Sequence, residues 1–217
     1  YWQARNPRPH YRNAKPAVMT VGGWFDAEDL FGALATYRAF ETQSPGASNT
    51  LVMGPWAHGG WARSDGDSHG DLRFHQKTSL FYREVIELPF FEHHLKDAPR
   101  PNQPEAWIFE TGTNTWHRHA SWPPPGAKQV TYHFHENGVL DVTPPNASEG
   151  FDDYVSDPKK PVPYADVHGL RIDKDYMSSD QRFASRRPDV LVYVTEPLTE
   201  DVTLAGPLAA RLWVSTT

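Results

Sequence analysis

The 217-residue chain contains no cysteine. Disulfides, thiolate catalysis and cysteine-ligated metal are therefore excluded, and the redox compartment leaves no mark on the sequence. Positive charge is also scarce: 21 Lys and Arg against 27 Asp and Glu leave a formal charge of -6. That balance argues against a nucleic-acid partner, because phosphate binding needs a basic face. No apolar run approaches the roughly 18 residues that cross a bilayer, so no membrane partner is expected. No signal peptide is visible, and the sequence opens on Tyr1 and closes on the strand-like run Leu208-Ala-Ala-Arg-Leu-Trp-Val-Ser-Thr-Thr217. Both ends read as cuts, and the chain is expected to be a C-terminal piece of a longer polypeptide. Periplasmic, secreted and cytoplasmic locations all stay open.

What is present is a chain long enough for one large or two smaller domains. Apolar residues make up only 38%, but eight Trp, nine Tyr and eleven Phe supply large burial per residue, so a core can be built. Twenty prolines and fifteen glycines suit short strands joined by ordered loops.

In chain order, residues 1–15 read as a connector. Pro16 to Val21 is a first strand, Asp26 to Phe40 a helix with Leu30, Phe31, Ala33, Leu34 and Tyr37 on one side, and Leu51 to Met53 a second strand. Strand, helix, strand is a βαβ unit with parallel strands. A polar loop follows His58, and Phe74 to Lys96 reads as helical, its apolar side Phe74, Leu80, Phe81, Val85 and Leu88, with Pro89 as a kink. The Pro-rich stretch 97–104 marks a domain boundary, giving an α/β part at 1–100 and a β part at 101–217. In the second part Trp107 to Phe109, Val130 to His135, Val139-Leu140, Asp189 to Thr195 and the region 204–214 read as strands, with Asn137-Gly138 as a hairpin turn. The fold class expected is α/β followed by all-β.

Two stretches organise the first part: Thr20-Val-Gly-Gly-Trp-Phe-Asp26 and Leu51-Val-Met-Gly-Pro-Trp-Ala-His58. Each is an apolar run, then glycine, then one residue of catalytic type. Ligand crevices in open α/β sheets lie beyond the carboxyl ends of the strands. An Asp that orients a His is two thirds of a hydrolase triad.

Val21-Gly-Gly-Trp-Phe-Asp26 with Gly54-Pro-Trp-Ala-His58-Gly-Gly-Trp61 resembles the acyl esterase and acylase family of cocaine esterases, α-amino acid ester hydrolases and glutaryl-cephalosporanic acid acylases, which is related to X-prolyl dipeptidyl peptidases. The stretches 151–163, 187–198 and 201–207 resemble the family's C-terminal jelly-roll-like domain. The resemblance implies the end of an α/β-hydrolase sheet followed by a jelly-roll-like β-sandwich. It also implies a serine hydrolase of small-molecule esters or amides working through an acyl-enzyme, with Asp26 as triad acid, His58 as base and no cofactor. The family nucleophile sits in a Gly-x-Ser-Tyr-x-Gly elbow upstream of the Asp, and no such string precedes Asp26. Gly66-Asp-Ser68-His-Gly70 matches a bare Gly-x-Ser-x-Gly, but no apolar strand leads into it and it follows the His. No nucleophile is therefore assigned within the chain, which alone is expected to be inactive. Two other readings stay open: an X-Pro dipeptidyl peptidase, and a binding module with a vestigial hydrolase part.

Each candidate has a structural alternative. Asp26 suits a helix N-cap, with Glu28 and Asp29 as neighbouring carboxylates. Trp24, Phe25, Trp56 and Trp61 suit core packing as well as an acyl pocket; Trp61 and Trp24 are the pocket candidates. The alternating carboxylates Asp65, Asp67 and Asp71 faintly suggest calcium but lack the ligand ladder and closing Glu, and no metal is assigned. His93 and His94 point apart on a helix, while His133 and His135 share a strand face with no evident third ligand. Asn146-Ala-Ser148 matches a glycosylation triplet common by chance. A homo-oligomer stays open, since exposed sheet edges invite pairing.

Overall fold

A computed structural model describes residues 1–146, 150–166 and 174–216. The chain separates into two compact units, the first made of residues 1–120 and 164–181, the second of 121–163 and 182–217.

The first unit is built on the expected βαβ core. Strand β1 (Val18–Gly23) is followed by helix α1 (Leu30–Gln43) and strand β2 (Asn49–Gly54), and β1 and β2 pair in parallel. β2 is buried along its whole length, which is why it reads as a continuous apolar run. The sheet continues past the composition change at 97–104. β5 (Ala106–Glu110) pairs in parallel with β2, and β6 (Thr115–His119) pairs antiparallel with β5, giving the order β1-β2-β5-β6. The strand expected at Trp107 to Phe109 thus belongs to this sheet and not to a separate sandwich.

Two helix faces differ from the sequence reading. α1 begins at Leu30, not Asp26, because the Asp29 carboxylate accepts from Gly32 N at 2.9 Å and caps it; Tyr37 is buried while Phe31 is exposed. Beyond a short helix α2 (Gly60–Arg63) and the two-residue strands β3 (Ser68–His69) and β4 (Leu72–Arg73), a long helical stretch starts at α3 (Thr78–Phe81). It widens to a π-helical turn (Tyr82–Glu87) and continues as α4 (Leu88–Lys96). The wide turn rotates the buried face, so Tyr82, Ile86 and Phe90 face the core while Val85 and Leu88 are exposed. Pro89 does not end the helix. It removes the N–H that Val85 O would accept, and Gln103 Nε2 donates to that carbonyl instead at 3.0 Å.

A core of Val52, Trp56, Tyr82, Ile86 and Trp107 joins the sheet to the helical stretch. No helix of the described residues is long and apolar enough to cross a membrane.

In the second unit the expected Asn-Gly hairpin is present. β7 (His133–His135) pairs antiparallel with β8 (Val139–Asp141), with Asn137 and Gly138 at φ 62° and 72° as a tight hairpin turn requires. The run at 189–195 joins a ladder only at Val194, which bridges Val139. The region 204–214 forms no ladder among the described residues. Strand propensity records a fit to a pleated, half-buried surface, and a ladder also needs a neighbouring strand in register. Residues 147–148 of the glycosylation triplet and residues 167–169 of the 151–169 excursion fall outside the described residues.

Candidate active site

The parallel register pairs Gly23 with Gly54 at the last rung, so both chains leave the sheet together. Backbone bonds continue beyond the rung: Trp24 N donates to Gly54 O at 2.8 Å and Phe25 N to Trp56 O at 3.1 Å. This close approach requires glycine. A β-carbon on Gly23 would stand 2.0 Å from Trp56 O, and one on Gly54 would stand 2.4 Å from the Trp56 ring. The two turns are thereby locked to one another, and the polar residues that end them meet.

His58 Nδ1 lies 2.9 Å from Asp26 Oδ2. The other oxygen of Asp26 accepts from Glu28 N at 2.8 Å and Asp29 N at 3.0 Å. Asp26 is 4% exposed and His58 47%. Burial works against charge on Asp26, but the backbone N–H groups of Asp29 and Glu28, together with the His58 imidazole, outweigh it and hold the carboxyl below its ordinary value. An ionised carboxylate only accepts, so the bond places the proton on His58 Nδ1 and makes Nε2 the basic nitrogen. Nε2 has no protein partner among the described residues. The neighbouring Asp29 carboxylate goes elsewhere: it caps α1 and leaves His58 to Asp26.

His58 borders a cleft of about 290 Å³, whose lining also includes Trp56, Arg63, Ser68, Lys174 and Asp175. Neither Trp61 nor Trp24 lines it. Trp61 lies edge-on to His58, ring centres 6.4 Å apart, and Trp24 donates its indole N–H to Phe109 O at 2.8 Å, bracing the end of β1 against β5. A second hollow of about 340 Å³, lined by Asp67, Arg73, His75, Gln76 and Lys77, contains neither His58 nor Asp26.

Ser68 opens the two-residue hairpin strand β3, not the strand-to-helix turn that exposes an elbow serine, and its Oγ bonds Asp67 Oδ1 at 3.2 Å. The carboxylate loop around it is tied to protein groups. Asp65 pairs with Lys77 at 2.9 Å, and Gly66 O accepts from Thr78 Oγ1 at 2.6 Å. Among the described residues no group of three or more acidic or histidine side chains converges as a metal ion needs. His93 Nδ1 bonds Ala98 O at 2.8 Å, and His135 Nε2 bonds Thr143 O at 2.9 Å.

Three supporting residues were not singled out from the sequence. Thr78 Oγ1 accepts from Trp56 Nε1 at 2.9 Å, pinning the His58 turn to α3. Arg83 donates to Trp61 O at 2.7 Å and Ser64 O at 3.0 Å, fixing the end of α2. Arg63 stands in the cleft itself. The first two act across 22 and 19 or more residues of sequence and leave no local signal; Arg63 had one, a cation four residues after Gly59 on the same short helix.

Parallel strands that deliver an acid and a histidine side by side at their carboxyl ends define an α/β-hydrolase type of sheet, here followed by a β part. The chain belongs to the X-Pro dipeptidyl-peptidase and cocaine-esterase type of family. The family model for the X-Pro dipeptidyl-peptidase C-terminal non-catalytic domain matches residues 101–217, and that for X-Pro dipeptidyl-peptidase (S15 family) matches residues 1–60. The chain is 29% identical over 214 residues to cocaine esterase of Rhodococcus sp. (strain MB1 Bresler), covering 93% of this chain and 36% of that protein. Among solved structures it resembles an α-amino acid ester hydrolase, with TM-score 0.84 and 35% identity over 94% of this chain and 36% of the other. It also resembles an aminopeptidase from a marine sediment Thaumarchaeota archaeon, with TM-score 0.80 and 38% identity over 87% of this chain and 32% of the other. The chain thus spans about a third of the length of these relatives.

Proposed function

We propose that the chain carries the acid and base of a serine hydrolase acting on small-molecule esters or amides through an acyl-enzyme. The observation that carries this reading is the 2.9 Å contact between His58 Nδ1 and a buried Asp26 carboxylate, with the imidazole half exposed at a cleft. In this reading Asp26 fixes the His58 tautomer and stabilises the imidazolium. His58 Nε2 takes the proton of a serine hydroxyl and returns it to the leaving group. The serine comes from outside residues 1–217, since the one Gly-x-Ser-x-Gly string lies on a hairpin. Similarity to cocaine esterase and an α-amino acid ester hydrolase supports ester substrates.

The match to X-Pro dipeptidyl-peptidase models and the likeness to an aminopeptidase favour a second reading, removal of X-Pro dipeptides. Steady-state assays of the full polypeptide on aryl esters and on X-Pro aryl amides separate the two. The expected result is a higher kcat/KM on the esters; the reverse order assigns the peptidase.

The 217-residue chain alone is expected to release no product above the level of its own His58→Ala variant, because removing the nucleophile leaves only residual rate. Turnover by this chain that His58→Ala abolishes contradicts the partition. If Ser68→Ala abolishes it too, Ser68 is the nucleophile.

A further inference from the structure

We propose that Thr78 and Ser79, two buried hydroxyls at the start of α3, are positioning residues that hold His58 in reach of Asp26. This rests on the hydrolase reading and concerns how its base is kept in place. Both residues are 0% exposed, so neither touches a substrate. Burying a hydroxyl is costly unless it is hydrogen-bonded. The bonds these two make go to the turn that carries the base and to the loop beside it. Thr78 Oγ1 accepts from Trp56 Nε1 at 2.9 Å and donates to Gly66 O at 2.6 Å. Ser79 Oγ donates to Gly60 O at 3.2 Å. His58 is thereby bracketed on both sides in sequence, at Trp56 and at Gly60.

The bracket reaches the acid through Trp56. Thr78 anchors its indole, and its carbonyl accepts from Phe25 N at 3.1 Å, next to Asp26 in the chain. Trp56 is 2% exposed, and its ring packs against Tyr82 and Trp61 with ring centres 5.5 and 6.1 Å apart. Loss of the Thr78 acceptor frees the indole to tilt. The tilt displaces both the carbonyl that holds the Asp26 turn and the turn that carries His58, and the 2.9 Å contact between the two side chains opens. The loop beside the turn is fitted as closely. A β-carbon on Gly66, at φ 74°, would stand 2.3 Å from Ser79 Oγ and 2.5 Å from Thr78 Oγ1. Thr78 N and Ser79 N donate to Gly66 O and Asp65 O at 3.2 and 3.0 Å. Misplacing a catalytic group by about 1 Å can cost on the order of 100-fold in rate.

The test is kinetic, on the full polypeptide, with an aryl ester and an X-Pro aryl amide as substrates and circular dichroism to show folding. Thr78→Val keeps the shape and removes both hydroxyl bonds. It should lower kcat about tenfold or more, with KM within about twofold, on whichever substrate is turned over. Thr78→Ser should restore kcat to within about threefold. Ser79→Ala is the milder probe, because Gly60 O keeps Ser64 N at 3.2 Å and Ser64 Oγ at 3.0 Å. It should lower kcat about threefold at unchanged KM, and it decides the matter if Thr78→Val does not fold. Tyr37→Phe is the stability control: it deletes a buried hydroxyl bonded to Glu105, and it should lower the denaturant midpoint with kcat unchanged. Because Thr78 acts through Trp56, the double variant Thr78→Val/Trp56→Phe should lose no more than about twofold beyond Trp56→Phe alone. A kcat held within about twofold in the folded variants at both Thr78 and Ser79 overturns the positioning role. So does a loss confined to KM, a loss of kcat matched by Tyr37→Phe, or losses that multiply in the double variant. Hydrolysis of neither substrate by the unaltered polypeptide is a different failure: it overturns the hydrolase reading and the positioning role with it.

Discussion

Asp26 shows how one residue can serve as helix lead-in and as charge partner. It does not cap α1; it accepts from Glu28 N and Asp29 N with one oxygen and holds His58 with the other. Because its folded pKa lies below the ordinary 3.8, it contributes stability that is fully present above the carboxylate range and lost as pH falls through the folded value. The difference in unfolding free energy between the unaltered protein and Asp26→Asn should be flat from neutral pH to about 5 and shrink below about 4. A difference that grows on acidification contradicts the assignment. In the full polypeptide Asp26→Asn should lower kcat by about 10⁴-fold, since an Asn no longer selects the tautomer that leaves Nε2 basic. The meeting of Asp26 and His58 was legible in the sequence because each follows an apolar run, and parallel strands bring such ends together. Trp24 was not separable from a pocket residue, because its partner, Phe109 O, is 85 residues away.

At the scale of elements, the site depends on how tightly β1 and β2 are joined where they leave the sheet. Gly23→Ala would push a methyl to 2.0 Å from a backbone oxygen. It should destabilise by at least about 2 kcal/mol, read as a lowered denaturant midpoint; a shift under about 0.5 kcal/mol would mean that the turns are not packed as described. Thr78 is the second joint. Thr78→Val keeps the shape but leaves the buried Trp56 N–H without its acceptor, at a cost of about 1–3 kcal/mol, while Thr78→Ser should restore most of it. The βαβ order and the Asn-Gly hairpin followed from local pattern and turn chemistry. The buried face of the helical stretch did not. The π-helical turn at Tyr82–Glu87 shifts the phase of the apolar side, and a helix-period reading assumes no such shift.

For the whole molecule, composition drew the boundary near residue 100, where the C-terminal family match also begins, yet the sheet carries on through β6. Pairing, unlike composition, depends on which strand lies alongside, and β5 finds β2 across more than 50 residues of sequence. The same dependence explains why 189–195 was read as the strongest strand and yet makes a ladder contact only at Val194. The fold and family together support an S15-type serine hydrolase, and the proposed acid and base are Asp26 and His58. The most direct test is kcat/KM for aryl ester hydrolysis by the full polypeptide and its His58→Ala variant, with circular dichroism to show that both are folded. The expected result is a loss of about 10⁴-fold or more at unchanged fold. Activity retained within tenfold would contradict the proposed base and, with it, the assignment of the Asp26–His58 pair.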